Sequence, residues 1–544
     1  MTKELTLEEA KAQISALKKQ ANYLATQNDN LSQNNKDLKE KVDKLEKINQ
    51  HYLEQLKLSK KKIFGASSEK FDDGSVQINL FNEAESERTP LLPEPKIEEV
   101  IVPSHKRKKK RSFDEKYGDL PIEEVVYDIS DEEKNCEKCG SEMTFMRYEI
   151  RRELKIIPAQ VKVVEHKKAV YVCKECDKNG VEASFKTAEA VPALIEKSIV
   201  SPSMMAYIMN QKFSCAMPLF RQEHELKRMG VKLSRQTMAN WVIAGANPLK
   251  PLYEKMHEIL LKESILHADE TPLEVLCEPN RLAITKSYMW LYRTGKYADI
   301  PIVLYDYKEG RSGDYAKKFL ENFSGYIHCD GYSGYNKLEN VKRVGCWAHV
   351  RRKFLEALES QADKTDFSTA AGQGFLYIEK LLSLEYIDLK KPLECLALSL
   401  ADISEIREKQ SKKLLSEFFS WAETEYEKSL PQSLVGKALG YAVNQKSTLL
   451  TFLKNPKLEL TNNRAERSVK PFVIGRKNWL FCNTPGGASS SAIVYSIIET
   501  AKENNLKPYD YLVWLFEKIQ SGQHVETLLP WLENLPENLK LKTE

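Results

Sequence analysis

Two segments of this chain share one arrangement, an apolar run that delivers an aspartate, and they limit the possible folds more than any other feature. Ser264-Ile265-Leu266-His267-Ala268-Asp269 reads as a short strand with a carboxylate at its end. Gly325-Tyr326-Ile327-His328-Cys329-Asp330-Gly331 repeats the pattern. Between them lie two further strand-like runs, Ser287 to Arg293 and Ile300 to Tyr305, and a helical stretch around Asp314 to Phe323.

Three strands, a helix and a fourth strand outline a ribonuclease H-like α/β domain, in which the first and fourth strands lie side by side. Asp269 and Asp330 would then be close neighbours. Carboxylates held together raise each other's pKa, and metal ions relieve the repulsion. Hard oxygen ligands suit Mg²⁺ or Mn²⁺. Two such ions about 3.5–4 Å apart can activate a water or a 3′-hydroxyl and stabilise the leaving oxygen, which is phosphodiester cleavage and strand transfer. His267 is expected to face the opposite side of the strand from Asp269 and to serve the core rather than a metal.

A third carboxylate has a candidate in Glu466, within Thr461-Asn462-Asn463-Arg464-Ala465-Glu466 on an expected helix. The local pattern is equally that of a capping box, with Asn463 at the cap and Glu466 three residues on. The sequence that follows tilts the balance towards chemistry: Lys470, Arg476 and Lys477, with Asn478 and Trp479, form a basic and aromatic patch suited to DNA ends. His349 and Arg352, one helical turn apart after Cys346, could grip a scissile phosphate; the alternative is a solvated basic helix.

The rest of the chain supplies handling modules. Residues 5–57 lack Pro and Gly, and Leu17, Leu24, Leu31, Leu38 and Leu45 recur every seventh position, with Asn28, Asn35 and Asn49 among the intervening a positions. This is a two-stranded coiled coil, unless the helix packs on its own chain. A linker holding Pro90, Pro93 and Pro95 ends in the six basic residues Lys106 to Arg111, a run that binds phosphates without reading sequence, a nuclear address being the alternative. Cys136, Cys139, Cys173 and Cys176 form two CxxC knuckles that fit a closed, structural Zn²⁺ site, with short strands expected at Val161 to Val164 and Ala169 to Val172. Pro218 opens one helix that stops at Gly230, and Ser234 caps a second. The pair is either a helix-turn-helix presenting Arg235, Gln236 and Asn240 to DNA or a plain hairpin that buries Trp241.

The expected architecture is multidomain α+β: coiled coil 1–62, flexible basic linker 63–120, zinc ribbon-like module 121–195, helix-turn-helix-like region 196–255, ribonuclease H-like catalytic domain 256–515 with a helical insertion at about 361–450, and a C-terminal helical tail 516–544. The 82 basic residues nearly balance 78 acidic ones, so local clusters and not net charge must carry any nucleic-acid contact. No apolar run approaches the roughly 18–20 residues of a membrane span. The acidic, polar start and the sparse cysteines point to a cytoplasmic, nucleoid-associated protein.

Several stretches resemble transposases of the insertion-sequence sixty-six family (the large, TnpC-type protein): IFGASSEK (63–70), the two knuckles, LFRQEHELKRMGVKLSRQTMANWV (219–242), HADETPLEVL (267–276), CDGYSGYN (329–336), GCWAHVRRKF (345–354) and NNRAERSVKPFVIGRKNWLF (462–481). Thr461 stands where family members often carry Asp. The resemblance implies a DDE transposase acting on the terminal inverted repeats of its own element and on target DNA, with the acidic triad at Asp269, Asp330 and Glu466. It further implies a helical insertion before the third acid and small accessory proteins as partners. The coil implies a homodimer, with higher oligomers on DNA left open. A ribonuclease H-like nuclease that cuts without joining, and a non-catalytic DNA-binding regulator, are the alternatives.

Overall fold

The computed structural model describes residues 159–172, 185–386 and 398–542, and positions between 11 and 45 that include all of 24–39. The knuckle cysteines, Leu17 and the whole linker 63–120, with the stretch 63–70 and the basic run 106–111, lie outside the described residues. Described residues from Val163 onward fall in one compact unit.

The stretch 24–39 is helical, and Leu24, Leu31, Leu38 and Leu45 each expose more than half of their surface, 57–62%. A small hairpin pairs β1 (Val170–Val172) with β2 (Phe185–Thr187). The expected strand at Val161 to Val164 is not formed: among the described residues that segment has no pairing partner, and Val163 is 90% exposed.

Four helices follow: α1 (Pro202–Phe213), α2 (Leu219–Arg228), α3 (Arg235–Ala246) and α4 (Lys250–Leu260). Between α2 and α3, Gly230 takes φ +85°, a value that favours glycine. Ser234 Oγ then accepts the Thr237 N–H at 3.1 Å, which starts α3 where the sequence places it. Trp241 is 8% exposed, so α3 does bury its tryptophan. Arg235, Gln236 and Asn240 remain exposed on the same helix, so the two readings of this pair describe different faces of one element.

The central sheet has five strands: β3 (Ile265–Glu274), β4 (Lys286–Thr294), β5 (Val303–Lys308), β6 (Gly325–His328) and β7 (Val341–Val344), in the order β5-β4-β3-β6-β7. β3, β4 and β5 run antiparallel in sequence, while β6 joins β3, and β7 joins β6, in parallel. The first and fourth strands of the expected pattern are thus neighbours. The connection between β5 and β6 holds α5 (Gly313–Phe319). β5 would be an open edge, a liability for strand proteins. Here the hydroxyls of Ser496 and Thr500 take the Tyr305 and Val303 N–H groups at 2.8 and 3.0 Å, so a helix closes the edge.

After β7 come α6 (Trp347–Glu359) and an insertion built from α7 (Ala370–Ser383), α8 (Leu400–Ile406), α9 (Lys412–Lys428), α10 (Leu434–Asn444) and the short α11 (Lys446–Leu449). Its core of Phe418, Phe419, Leu439 and Phe452 is continuous with Trp347 and Phe354 of α6. The chain returns to the sheet through α12 (Asn463–Trp479), α13 (Pro485–Glu503) and α14 (Pro508–Gln520). The expected helical tail 516–544 is mostly irregular. α14 ends at Gln520, Gly522 adopts φ +74°, and among the described residues only two short 3₁₀ turns follow. Pro530 and Pro536 remove backbone donors that a longer helix would need.

Candidate active site

Asp269 is not at a strand end. β3 runs five residues further because antiparallel β4 pairs with it as far as Glu274↔Lys286. Its parallel partner does stop: the last β3–β6 pair is His267↔His328, and two residues further along each strand stand Asp269 and Asp330. The termination of β6 opens the space that both carboxylates enter.

Burial pushes the Asp269 carboxyl well above the usual range, and the neighbouring charges of Glu270, Glu466 and Asp330 push it further. All three expected acids are therefore electrostatic neighbours. Glu466 reaches the site from the first turn of α12. It is not a capping residue. The helix begins at Asn463, one residue earlier than a cap there requires; Asn462 occupies the cap position, and its side chain is spent elsewhere. Glu466 Oε2 lies 3.3 Å from Arg352 Nη2, and Oε1 lies 3.7 Å from His349 Nδ1. Both Oε1 and that Nδ1 are buried without a hydrogen-bond partner. Burial lowers the His349 pKa, so the neutral imidazole is favoured at this position. His349 and Arg352 do share a face of α6, but that face meets Glu466.

Other basic candidates divide by environment. Arg476 donates to Thr271 Oγ1 at 3.0 Å and to the Pro272 carbonyl, so it ties α12 to β3. Lys477 is exposed and Lys470 half-buried. Asn478 and Trp479 are not a platform for bases: Asn478 Nδ2 donates to the Ala216 carbonyl at 2.8 Å, and Lys212 Nζ lies 3.9 Å from the Trp479 ring centroid. They dock α12 on α1.

His267 requires a correction. Alternate residues of a strand share a face, so His267 lies on the same side as Asp269, towards the segment that leads into α12. It is fully buried and stacks on His328, with ring centroids 4.1 Å apart and planes within 8°. Its Nδ1 lies 2.9 Å from Asn462 Oδ1, and its Nε2 lies 3.0 Å from Glu459 Oε2. Burial opposes ionisation of Glu459, yet His267 and Arg464 hold its carboxyl well below the usual range.

Three further groups escaped sequence reasoning. Glu270 has a side chain only 1% exposed, bound by Arg311 at 2.5 Å and by Tyr335 Oη at 2.6 Å. The adjacent acids of Ala268-Asp269-Glu270 were its only visible signal. Tyr441 of the insertion packs on Gly331, where a Cβ would sit 2.6 Å from its Cε2, so residue 331 must stay small beside Asp330. Asn462 is the third.

Carboxylate oxygens that crowd and destabilise one another, one of them without a hydrogen-bond partner, fit a divalent cation with hard-oxygen preference. The crowding also has a consequence for the metal-free protein. An unfolded aspartate titrates near about 3.9, whereas folded Asp269 holds its proton to higher pH. Its contribution to stability is therefore complete below the unfolded value and is lost as pH rises through the folded one. In a chelator at pH 8, Asp269→Asn should melt above the wild type, with the gap shrinking towards pH 5; a lower melting temperature at pH 8 would contradict this.

The family comparisons agree along the chain. The model described as "Transposase IS66 family" matches residues 197–490, "zinc-finger binding domain of transposase IS66" matches 133–177, "IS66 C-terminal element" matches 496–531, and "Transposase C of IS166 homeodomain" matches 51–125. The zinc-finger match spans all four knuckle cysteines. Among curated relatives, the uncharacterized protein y4qI of Sinorhizobium fredii is 30% identical over 427 residues, 75% of each chain. The uncharacterized protein y4jD of the same organism is 27% identical over 429 residues, 76% of this chain and 80% of its own. Among the described residues no helix is long and apolar enough to cross a membrane. With a family model over more than half of its length, the chain belongs to the IS66 family of transposases, DNA-binding proteins that carry a zinc-finger module.

Proposed function

We propose that this chain is a DDE transposase that binds the terminal inverted repeats of an insertion sequence and catalyses metal-dependent strand cleavage and strand transfer. The observation that carries the reading is the convergence of Asp269, Asp330 and Glu466, from three separate elements, where β6 ends. The strand order β5-β4-β3-β6-β7 supports a ribonuclease H-like catalytic domain.

In this reading the three carboxylates hold Mg²⁺ or Mn²⁺, which supplies Lewis acidity to the attacking and leaving oxygens when bound. Arg352 holds the Glu466 carboxylate in place with neutral His349 packed beside it, and in the DNA complex both approach the scissile phosphate. Lys470 and Lys477 contact backbone phosphates along α12, while Arg476 keeps that helix on β3. Arg235, Gln236 and Asn240 face the repeat DNA from α3. Cys136, Cys139, Cys173 and Cys176 hold a structural Zn²⁺. The exposed leucines of the N-terminal helix pair two copies. Removing residues 1–57 should halve the mass in sedimentation; an unchanged mass would argue against that interface.

Labelled DNA carrying the element's ends, incubated with Mg²⁺, tests the function, with accessory proteins supplied. Nicked and joined products support transposition. Nicks without joining favour a nuclease, and binding alone favours a regulator.

A further inference from the structure

Asn462 fastens the segment that carries Glu466 into the site. Asn462 is 1% exposed, and its four polar groups find partners in three places: β3, the start of α6 and the first turn of α12. Its Nδ2 donates to the Ala268 carbonyl at 2.8 Å, one residue before Asp269. With that nitrogen used, Oδ1 accepts from His267 Nδ1 at 2.9 Å, two residues before Asp269. Its backbone N–H donates to Cys346 Sγ at 3.1 Å, the residue that opens the helix of His349 and Arg352. Its carbonyl accepts the Ala465 and Glu466 N–H groups at 3.0 and 3.2 Å.

The chain of contacts continues through Glu459, bound by Arg464 at 3.0 and 3.3 Å, and through His328, stacked on His267 two residues before Asp330. Every one of the three acids thus lies within four residues of this buried network, yet none of their carboxylates is part of it. An interaction that merely stabilised the fold could join these elements anywhere; this one joins them next to each acid.

We propose that Asn462 is a positioning residue: its amide locks the first turn of α12 to β3 and so sets Glu466 at the distance from Asp269 that a shared divalent ion requires. The inference rests on the carboxylate triad proposed above. Outer groups that orient metal ligands affect metal affinity or activity by about 10–100-fold when removed.

The test uses the full-length protein and Mn²⁺. Free Mn²⁺ is followed by electron paramagnetic resonance during titration, and the Mn²⁺ dependence of end cleavage is measured beside it. Wild type is compared with Asn462→Ala, Asn462→Asp, Glu466→Gln and Leu460→Ala. Asn462→Asp keeps the shape and the acceptor but loses the donor to Ala268, which guards against a misfolded alanine variant. Leu460→Ala, at a fully buried apolar position two residues earlier, controls for lost stability alone.

Both Asn462 variants should weaken Mn²⁺ binding about 10–100-fold, raise the half-saturating Mn²⁺ for cleavage to match, and recover rate at high Mn²⁺. Leu460→Ala should lower the melting temperature without moving either metal curve. The clamp is overturned if the Asn462 variants stay within about twofold of wild type, or if Leu460→Ala shifts the metal curves equally. If Glu466→Gln also binds Mn²⁺ like wild type, the triad itself falls and the clamp with it. If only the Asn462 variants do, the triad stands and the clamp alone fails.

Discussion

Replacing Arg407 by alanine should destabilise the helical insertion by about 3–5 kcal/mol, the cost of breaking a buried ion pair by removing one partner. The Arg407 side chain is 4% exposed and that of Glu385 8%. Its Nε and Nη2 meet the two Glu385 oxygens at 2.7 and 2.8 Å, and the remaining donors reach the carbonyls of Phe452, Asn455 and Leu458 at 2.7–2.9 Å. Alanine would leave one buried carboxylate and three carbonyls without these partners. The pair adds little net stability over an apolar replacement of similar volume, so Arg407→Met with Glu385→Leu should recover a large part of the loss. Urea unfolding followed by tryptophan fluorescence checks both; a loss below about 1 kcal/mol would put the pair among weak surface bridges. The carbonyls bound by Arg407 belong to the segment that leads to Glu459 and Glu466, so this guanidinium braces the approach to the site from the insertion side.

The second large effect is expected at Glu466. Glutamine keeps the volume and can still accept from Arg352, but it removes the negative charge that a cation would need. Cleavage and joining should fall at least about a thousandfold, equivalent to about 4 kcal/mol of barrier, with DNA affinity and melting temperature close to wild type. The helix should survive because Glu466 makes no cap: Asn462 occupies that position and the first-turn N–H groups of Ala465 and Glu466 already bond to its carbonyl. Had Glu466 been a structural cap, its loss would appear in stability and not in rate.

What could be read without coordinates was local. Apolar runs gave four strands of the sheet but not β7, and Ser234 and Gly230 gave the limits of the α2–α3 pair. The three acids stood out because each sits in a polar context abutting an apolar run or a basic one. Long-range facts were not legible. Asn462 contacts residues 194 and 195 positions away, and Arg407 pairs across 22. No local pattern encodes either. Trp479 looked like a stacking surface because its sequence neighbours are basic, whereas its ring is taken by Lys212, 267 positions earlier in the chain. The extension of β3 beyond Asp269 depends on β4, whose register no single strand reveals. The side of β3 occupied by His267 was legible from strand alternation alone; only its partners needed the fold.

The most direct test of the central claim is single-turnover cleavage and joining of end DNA by wild type, Asp269→Asn, Asp330→Asn and Glu466→Gln, each with Mg²⁺ or Mn²⁺ and with DNA binding measured on the same preparations. The expected result is that wild type performs both reactions only with metal, while each amide variant binds DNA as wild type does and performs neither. Retained cleavage and joining by any one of the three variants would show that its carboxylate is not a required ligand, and would contradict the three-acid site.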